Sequence, residues 1–280
     1  MKPHHFYEGL CFGEGPRWHD GHLYVSDMHG HEVLTFDSWG RKAKVVDVPQ
    51  QPSGLGWLPN GELLIVSMTD RKLLRFDGNQ LHTHADLSGL ATFHCNDMVV
   101  DTDGRAYVGN FGFDLHAGDE FKPAVMIAVA PDGSATIAAD DLAFPNGTVI
   151  TPDGDTLIVG ESFGGRLTAF SRDRAGKLTD RRIWAQLPQG VVPDGICLDE
   201  ADGIWVASPT SNECLRVEEG GNITHRVTLE QGAFACALGG TGRRSLFMLT
   251  APGSHPDQCR ARRAGRIEVV DAPYAAAGLP

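Results

Sequence analysis

A chain of 280 residues with 24 Lys and Arg against 36 Asp and Glu carries a net charge of −12, which repels phosphate backbones and anionic lipid and argues against nucleic acid as a partner. No apolar run approaches the ~20 residues of a membrane span, and Met1 to Gly9 lacks the apolar stretch of a signal peptide, so a cytoplasmic protein with no membrane partner is expected. Cys11, Cys95, Cys197, Cys214, Cys236 and Cys259 form no CxxC pair; they suggest neither a zinc knuckle nor a disulfide scaffold and are read as free, mostly buried thiols.

In chain order, one unit recurs six times. It opens with Glu14-Gly-Pro-Arg-Trp, then Ser53-Gly-Leu-Gly-Trp, Asn96-Asp-Met-Val-Val, Asn146-Gly-Thr-Val-Ile, Asp194-Gly-Ile-Cys-Leu and a worn copy at Cys236-Ala-Leu-Gly-Gly. In most copies a short apolar run leads to Asp-Gly or Asn-Gly and a second run rich in Leu, Ile, Val, Tyr and Trp, the local signature of a β-hairpin. A third strand is predicted at Glu32-Val-Leu-Thr-Phe, Lys72-Leu-Leu-Arg-Phe, Arg166-Leu-Thr-Ala-Phe, Cys214-Leu-Arg-Val and Arg266-Ile-Glu-Val-Val. A fourth is predicted at Ala43-Lys-Val-Val, Thr136-Ile-Ala-Ala and Arg182-Ile-Trp-Ala. Helical periodicity is nearly absent, and 34 Gly and 16 Pro break the chain too often for long helices. The expectation is an all-β, six-bladed β-propeller with four-stranded blades, one domain over residues 1–280. Gly112 to Ala124 and Ser254 to Ala264 interrupt the period and are read as loops over one end of the channel.

The residue opening each copy occupies the same place in every blade, so Glu14, Ser53, Asn96, Asn146, Asp194 and Cys236 should converge on the channel axis. Asn and Asp beside Gly also make turns. Turn chemistry does not account for Glu14, nor for two carboxylates facing a narrow axis, which repel each other without a cation. Carboxylate and amide oxygens favour a hard divalent ion. One ion is therefore expected on Glu14, Asn146 and Asp194, with Asn96 as fourth ligand or close neighbour; calcium comes first, and Mg, Mn, Zn or Fe are the other choices.

Glu14-Gly-Pro-Arg-Trp, His94-Cys-Asn-Asp, Phe144-Pro-Asn-Gly with Thr151-Pro-Asp-Gly, and Val192-Pro-Asp-Gly-Ile-Cys-Leu-Asp resemble the senescence-marker-protein/gluconolactonase family nearly end to end. The resemblance implies a six-bladed propeller, a metal held by Glu14, Asn146 and Asp194, and Asn96 binding substrate or metal. It also implies lactone hydrolysis in which Asp194 handles a proton. One position departs from the family pattern: sugar-lactone members typically carry Arg two places before the channel Asn, where this chain has His94. His94 is thus a substrate-binding candidate in a pocket expected to suit a lactone or ester less polar than a sugar lactone. Phe93, Phe111, Phe113 and Phe163 are candidates for an apolar wall.

Two other motifs compete. Gly160-Glu-Ser-Phe-Gly164 fits G-x-S-x-G, but that motif needs a strand, a sharp turn and a helix, and a strand is predicted after it, so Ser162 is not read as a nucleophile. The remaining histidines show no ligand spacing tied to the channel, and most are expected to be exposed. The function expected is a metal-dependent lactonase or esterase acting on a small molecule. Its rivals are a non-catalytic, metal-stabilised binding propeller and a metal-free lyase of the strictosidine-synthase-like kind.

Overall fold

Asp20 and Gly21 both adopt the left-handed backbone, φ 46° and 78°, that a two-residue type I′ turn requires. They join the first hairpin of a chain described here over all residues 1–280 by a computed structural model. A leading strand, β1 (His4–Leu10), precedes blade 1, which comprises β2 (Gly13–His19), β3 (His22–Asp27), β4 (Glu32–Phe36) and β5 (Lys42–Asp47). Blade 2 follows with β6 (Pro52–Trp57), β7 (Leu63–Ser67), β8 (Lys72–Phe76) and β9 (Leu81–Asp86), and blade 3 with β10 (Cys95–Val100), β11 (Ala106–Asn110), β12 (Ala124–Val129) and β13 (Ala135–Leu142). Blade 4 holds β14 (Pro145–Ile150), β15 (Thr156–Glu161), β16 (Arg166–Arg172) and β17 (Leu178–Gln186). Blade 5 holds β18 (Ile196–Leu198), β19 (Ile204–Ser208), β20 (Glu213–Val217) and β21 (Ile223–Thr228). The last blade takes β22 (Gly232–Gly239), β23 (Ser245–Ala251) and β24 (Gly265–Asp271), and β1 pairs antiparallel with β24 as its fourth strand. The molecule is a six-bladed β-propeller.

The N-terminal closure was absent from the sequence-based expectation, which placed no strand before Glu14. Pairing the first strand into the last blade joins the two ends of the ring and removes the sheet edge that β24 would otherwise expose. The third strands fall where expected, and blade 3 supplies its own at Ala124–Val129. The Ser254 to Ala264 insert is not all loop: Pro256–Arg262 form a short helix, α1, with Pro at its first position, where the missing N–H costs nothing.

Inner strands β10 and β14 are buried along their whole length, whereas the outer strands β5, β9 and β13 are mostly exposed or half-buried. Apolar side chains fill the spaces between blades; Leu64, Val66, Met98, Val108 and Ile127, for example, pack blade 2 on blade 3. Each such buried side chain contributes ~1.5–3 kcal/mol. At the far ends of the inner strands the C-terminal tail ties three blades together, with Ala276 N–H donating to Arg243 (2.9 Å), Ala277 to Leu198 (3.0 Å) and Leu279 to Ile150 (2.9 Å). No helix is long and apolar enough to cross a membrane.

Candidate active site in the central channel

At the near ends of the inner strands, Glu14, Asn96, Asn146 and Asp194 line one cavity of about 280 Å3 together with His94. A β-bulge re-aims three of the contributing strands, with register breaks between Glu14 and Arg17 in β2, Cys95 and Met98 in β10, and Pro145 and Thr148 in β14, whereas Asp194 stands two residues ahead of β18 on the segment that enters it. A bulge inserts an extra residue and bends the strand, which turns the opening side chain towards the axis. The inner strands also approach closely. A Cβ on Gly147 would stand 2.4 Å from the Ile196 nitrogen and 2.7 Å from the Asp194 carbonyl oxygen, so only glycine lets blade 4 reach blade 5 there.

The sixth slot is Phe234, not Cys236. Gly147 N–H donates to Asp194 O (3.1 Å), and Gly195 N–H donates to Phe234 O (2.8 Å), so the residue facing the axis in blade 6 is Phe234. It lines the cavity, and Cys236 does not. Cys236 instead lies behind blade 5 with its sulfur 3.8 Å from that of Cys197. The apolar pattern around Cys236 matches the other copies two residues out of register, which misplaced it. Ser53 occupies the blade 2 slot but is buried beside Ser26, whose hydroxyl donates to its carbonyl, and it stays off the cavity wall.

Three of the slot strands are held from behind by a buried polar side chain at the end of the second strand of the same blade. Asp27 accepts from Cys11 N–H (3.1 Å) and Phe12 N–H (2.8 Å) upstream of Glu14. Glu161 accepts from Ala143 N–H (2.7 Å) upstream of Asn146, and Ser208 Oγ accepts from Val192 N–H (3.2 Å) upstream of Asp194. Burial works against an ionised Glu161, but hydrogen bonds from Arg166, Ala143 and Thr168 hold it below the ordinary carboxylate range. Sequence reasoning missed this second ring. Its signal was a polar residue closing the second strand in five copies: Asp27, Ser67, Asn110, Glu161 and Ser208.

Burial, then the charges of Asp194 and Asp97, push Glu14 well above its usual range. Burial likewise raises Asp194, with the Asn146 amide opposing and Asp97 adding to the rise. Arg17 does not neutralise the pair. Its guanidinium is committed to Asp97 (2.7 Å) and to the carbonyls of Leu55 (3.0 Å), Pro16 (2.8 Å) and Met98 (2.5 Å). Asp97 accordingly turns to the scaffold, as expected of the residue following Asn96. Ser162 donates to Pro193 O (2.7 Å) and accepts from the Asn146 amide nitrogen (3.3 Å), which leaves the Asn146 carbonyl oxygen free. The strand β16 follows Ser162 after one turn, so no nucleophile elbow forms. The side-chain nitrogen of Asn96 is buried without a partner. No three His, Cys, Asp or Glu side chains converge as a ligand cluster; the channel offers two carboxylates and two amides, a set of hard oxygen donors.

The family described as SMP-30/Gluconolactonase/LRE-like region matches residues 12–252. The chain belongs to it. Among family relatives, regucalcin of Gallus gallus is 24% identical over 253 residues, covering 85% of this chain and 83% of its own. A calcium-binding protein, regucalcin, from Agrobacterium tumefaciens superimposes with a TM-score of 0.80 at 21% identity, covering 99% of this chain and 98% of its own. A gluconolactonase from Xanthomonas campestris gives a TM-score of 0.77 at 25% identity, covering 96% and 89%.

Within this SMP-30/gluconolactonase frame, the histidines fall differently from expectation. His4, His5, His22, His116 and His255 are exposed, but the others are buried or half-buried, because several pack against aromatic rings or loops rather than standing free. His29 is buried and lines the cavity, as does His116 from the Gly112 to Ala124 loop. His94 stacks on Phe93 (ring centroids 4.1 Å), and burial lowers its pKa. Phe111 and Phe163 reach the cavity wall; Phe93 and Phe113 stand behind it. Phe12, Phe144 and Phe234 complete the wall and were not singled out in the sequence.

Proposed function

We propose that the channel binds one divalent cation, calcium first, on Glu14, Asn146 and Asp194 with Asn96 beside them, and that the protein hydrolyses a small lactone or ester. The observation that carries this reading is the pair of buried Glu14 and half-buried Asp194 on one cavity, whose neighbouring Arg17 is committed elsewhere. Buried carboxylates without a counter-charge cost stability, and a cation offsets that cost. Calcium accepts carboxylate and amide oxygens in flexible arrangements, which suits this donor set. The membership in a family whose relatives include a gluconolactonase supports the reaction class.

When bound, the cation supplies Lewis-acid polarisation of the ester carbonyl. Asp194 takes a proton from the attacking water as the new C–O bond forms, then returns it to the departing oxygen as the acyl–oxygen bond breaks. The product is a hydroxy acid, or an acid and an alcohol from an open ester. Asn96, with an unpartnered amide N–H, donates a hydrogen bond to a substrate oxygen. Metal analysis of the purified protein, with turnover of lactones and aryl esters before and after chelation, tests the reading. A stoichiometric ion and chelator-sensitive turnover are expected. A channel that takes up none of calcium, manganese, magnesium or zinc at saturation overturns it.

A further inference from the structure

The cavity walls are mostly apolar. Phe111, Phe144 and Phe163 line them from blades 3 and 4 in mutual contact, with centroids 4.5 Å apart for Phe111 and Phe144 and 5.4 Å for Phe144 and Phe163. Phe12 and Phe234 form a second contact on the wall, 4.7 Å between centroids. No lysine or arginine lines the cavity. Several of its polar groups already have partners: Ser162 is bound to Pro193 O and Asn146, Thr69 to Gln50, and His29 Nε2 to Ser254 O. A polyol needs a dense set of free donors and acceptors, because each hydroxyl buried without a partner costs binding energy.

The apolar surface also continues out of the mouth. Phe163 is 53% exposed and stacks on Phe121, itself 48% exposed, at 5.8 Å between centroids. Leu115, on the cavity wall, is exposed as well. Large apolar side chains left contiguous and wet at the rim of a cavity mark a recognition surface. Phe163 sits next to Ser162, the hydrogen-bond partner of Asn146, so this surface adjoins the oxygen-donor quartet.

We infer, resting on the lactone-hydrolase reading, that the substrate carries an apolar chain or aromatic ring seated against Phe111, Phe144 and Phe163. A polyhydroxylated sugar lactone is the disfavoured class.

The test is kcat/KM for γ-lactones with side chains lengthening from methyl to pentyl, for dihydrocoumarin and for glucono-δ-lactone, on wild type and Phe163→Ser. Each methylene that reaches the wall should raise kcat/KM about fourfold. Gluconolactone should rank last, and Phe163→Ser should flatten the chain-length slope. Calorimetric binding of γ-pentyl lactam and of gluconolactam provides a readout independent of turnover, with the pentyl lactam expected to bind more tightly. A flat chain-length series, gluconolactone ranking first, or an unchanged slope in Phe163→Ser overturns the inference and leaves lactone hydrolysis standing. If no lactone or ester is turned over, the parent reading fails, and the lactam comparison alone decides whether the cavity takes apolar ligands: tighter gluconolactam binding overturns the inference, and tighter pentyl lactam binding upholds it.

Discussion

His29 links the acidity of the solution to the stability of the cavity wall. Its ring is 4% exposed, lies 5.1 Å from that of Phe12, and places Nε2 3.0 Å from the Ser254 carbonyl oxygen. A carbonyl only accepts, so Nε2 carries the proton and Nδ1 holds a lone pair, which has no partner. Burial lowers the pKa to about 4, with the Ser254 bond opposing it. In the unfolded chain the value is ~6.5. Above pH ~6.5 the imidazole is neutral in both states and adds no pH dependence. As pH falls from ~6.5 to about 4, the unfolded chain takes up a proton that the folded chain refuses, so stability is lost across that window. The loss approaches about 3 kcal/mol in all, or roughly 5 °C in Tm for a chain of this length. His29→Gln keeps a donor towards Ser254 and cannot titrate. Urea denaturation of both proteins at pH 7 and pH 4.5 isolates the effect, since other groups titrate alike in the two. The wild type should lose about 2 kcal/mol more than the variant between these pH values. Parallel losses would refute the reasoning and show that the ring finds a partner for Nδ1 in solution.

Asp194→Asn should lower kcat by at least ~100-fold, the usual span of a general base, while metal content falls less; full activity measured in that variant removes Asp194 from the chemistry. Gly147→Ala drives a methyl group into the Ile196 nitrogen and the Asp194 carbonyl, at a cost of about 1–3 kcal/mol, and calorimetry should show calcium affinity reduced; unchanged affinity would mean the blades part without disturbing the quartet. Arg17→Met leaves Asp97 buried without its ion-pair partner, so chemical denaturation should show a loss of ~3–5 kcal/mol, partly recovered in the Arg17→Met/Asp97→Asn double variant. Calcium at roughly 100 times its Kd should stabilise the protein by about 2.7 kcal/mol over the chelated form; identical thermal scans with and without chelator would count against a channel ion.

The repeat was legible because every blade spells the same local physics: an apolar run, a turn residue able to take positive φ, and another apolar run. Glu32–Phe36 and Lys72–Phe76 appear as strands with the limits their apolar patterning suggests. What stayed hidden depends on contacts between distant parts of the chain. His4–Leu10 has the mixed patterning of an edge strand, exposed at His4, His5 and Glu8, and only its pairing with β24 defines it. The α1 helix at Pro256–Arg262 is too short for a periodic signal.

The site divides along the same line. Glu14, Asn96, Asn146 and Asp194 could be found because repeat position alone brings them together, and the cavity contains all four. Phe234 could not, because the apolar stretch Cys236-Ala-Leu-Gly matches the other copies and slides this copy two residues along the strand. The buried polar ring escaped for a different reason. Asp27, Glu161 and Ser208 differ in size and charge, and what they share is a bond to a backbone N–H two or three residues ahead of the slot in the neighbouring strand. That role is visible only once the strands are paired. It has a mechanistic consequence: the three strands so tethered are the ones that carry Glu14, Asn146 and Asp194, the proposed ligands. Supports of this kind fix the backbone that leads into each slot without help from an ion. The blades therefore set the arrangement of the proposed cation site in advance.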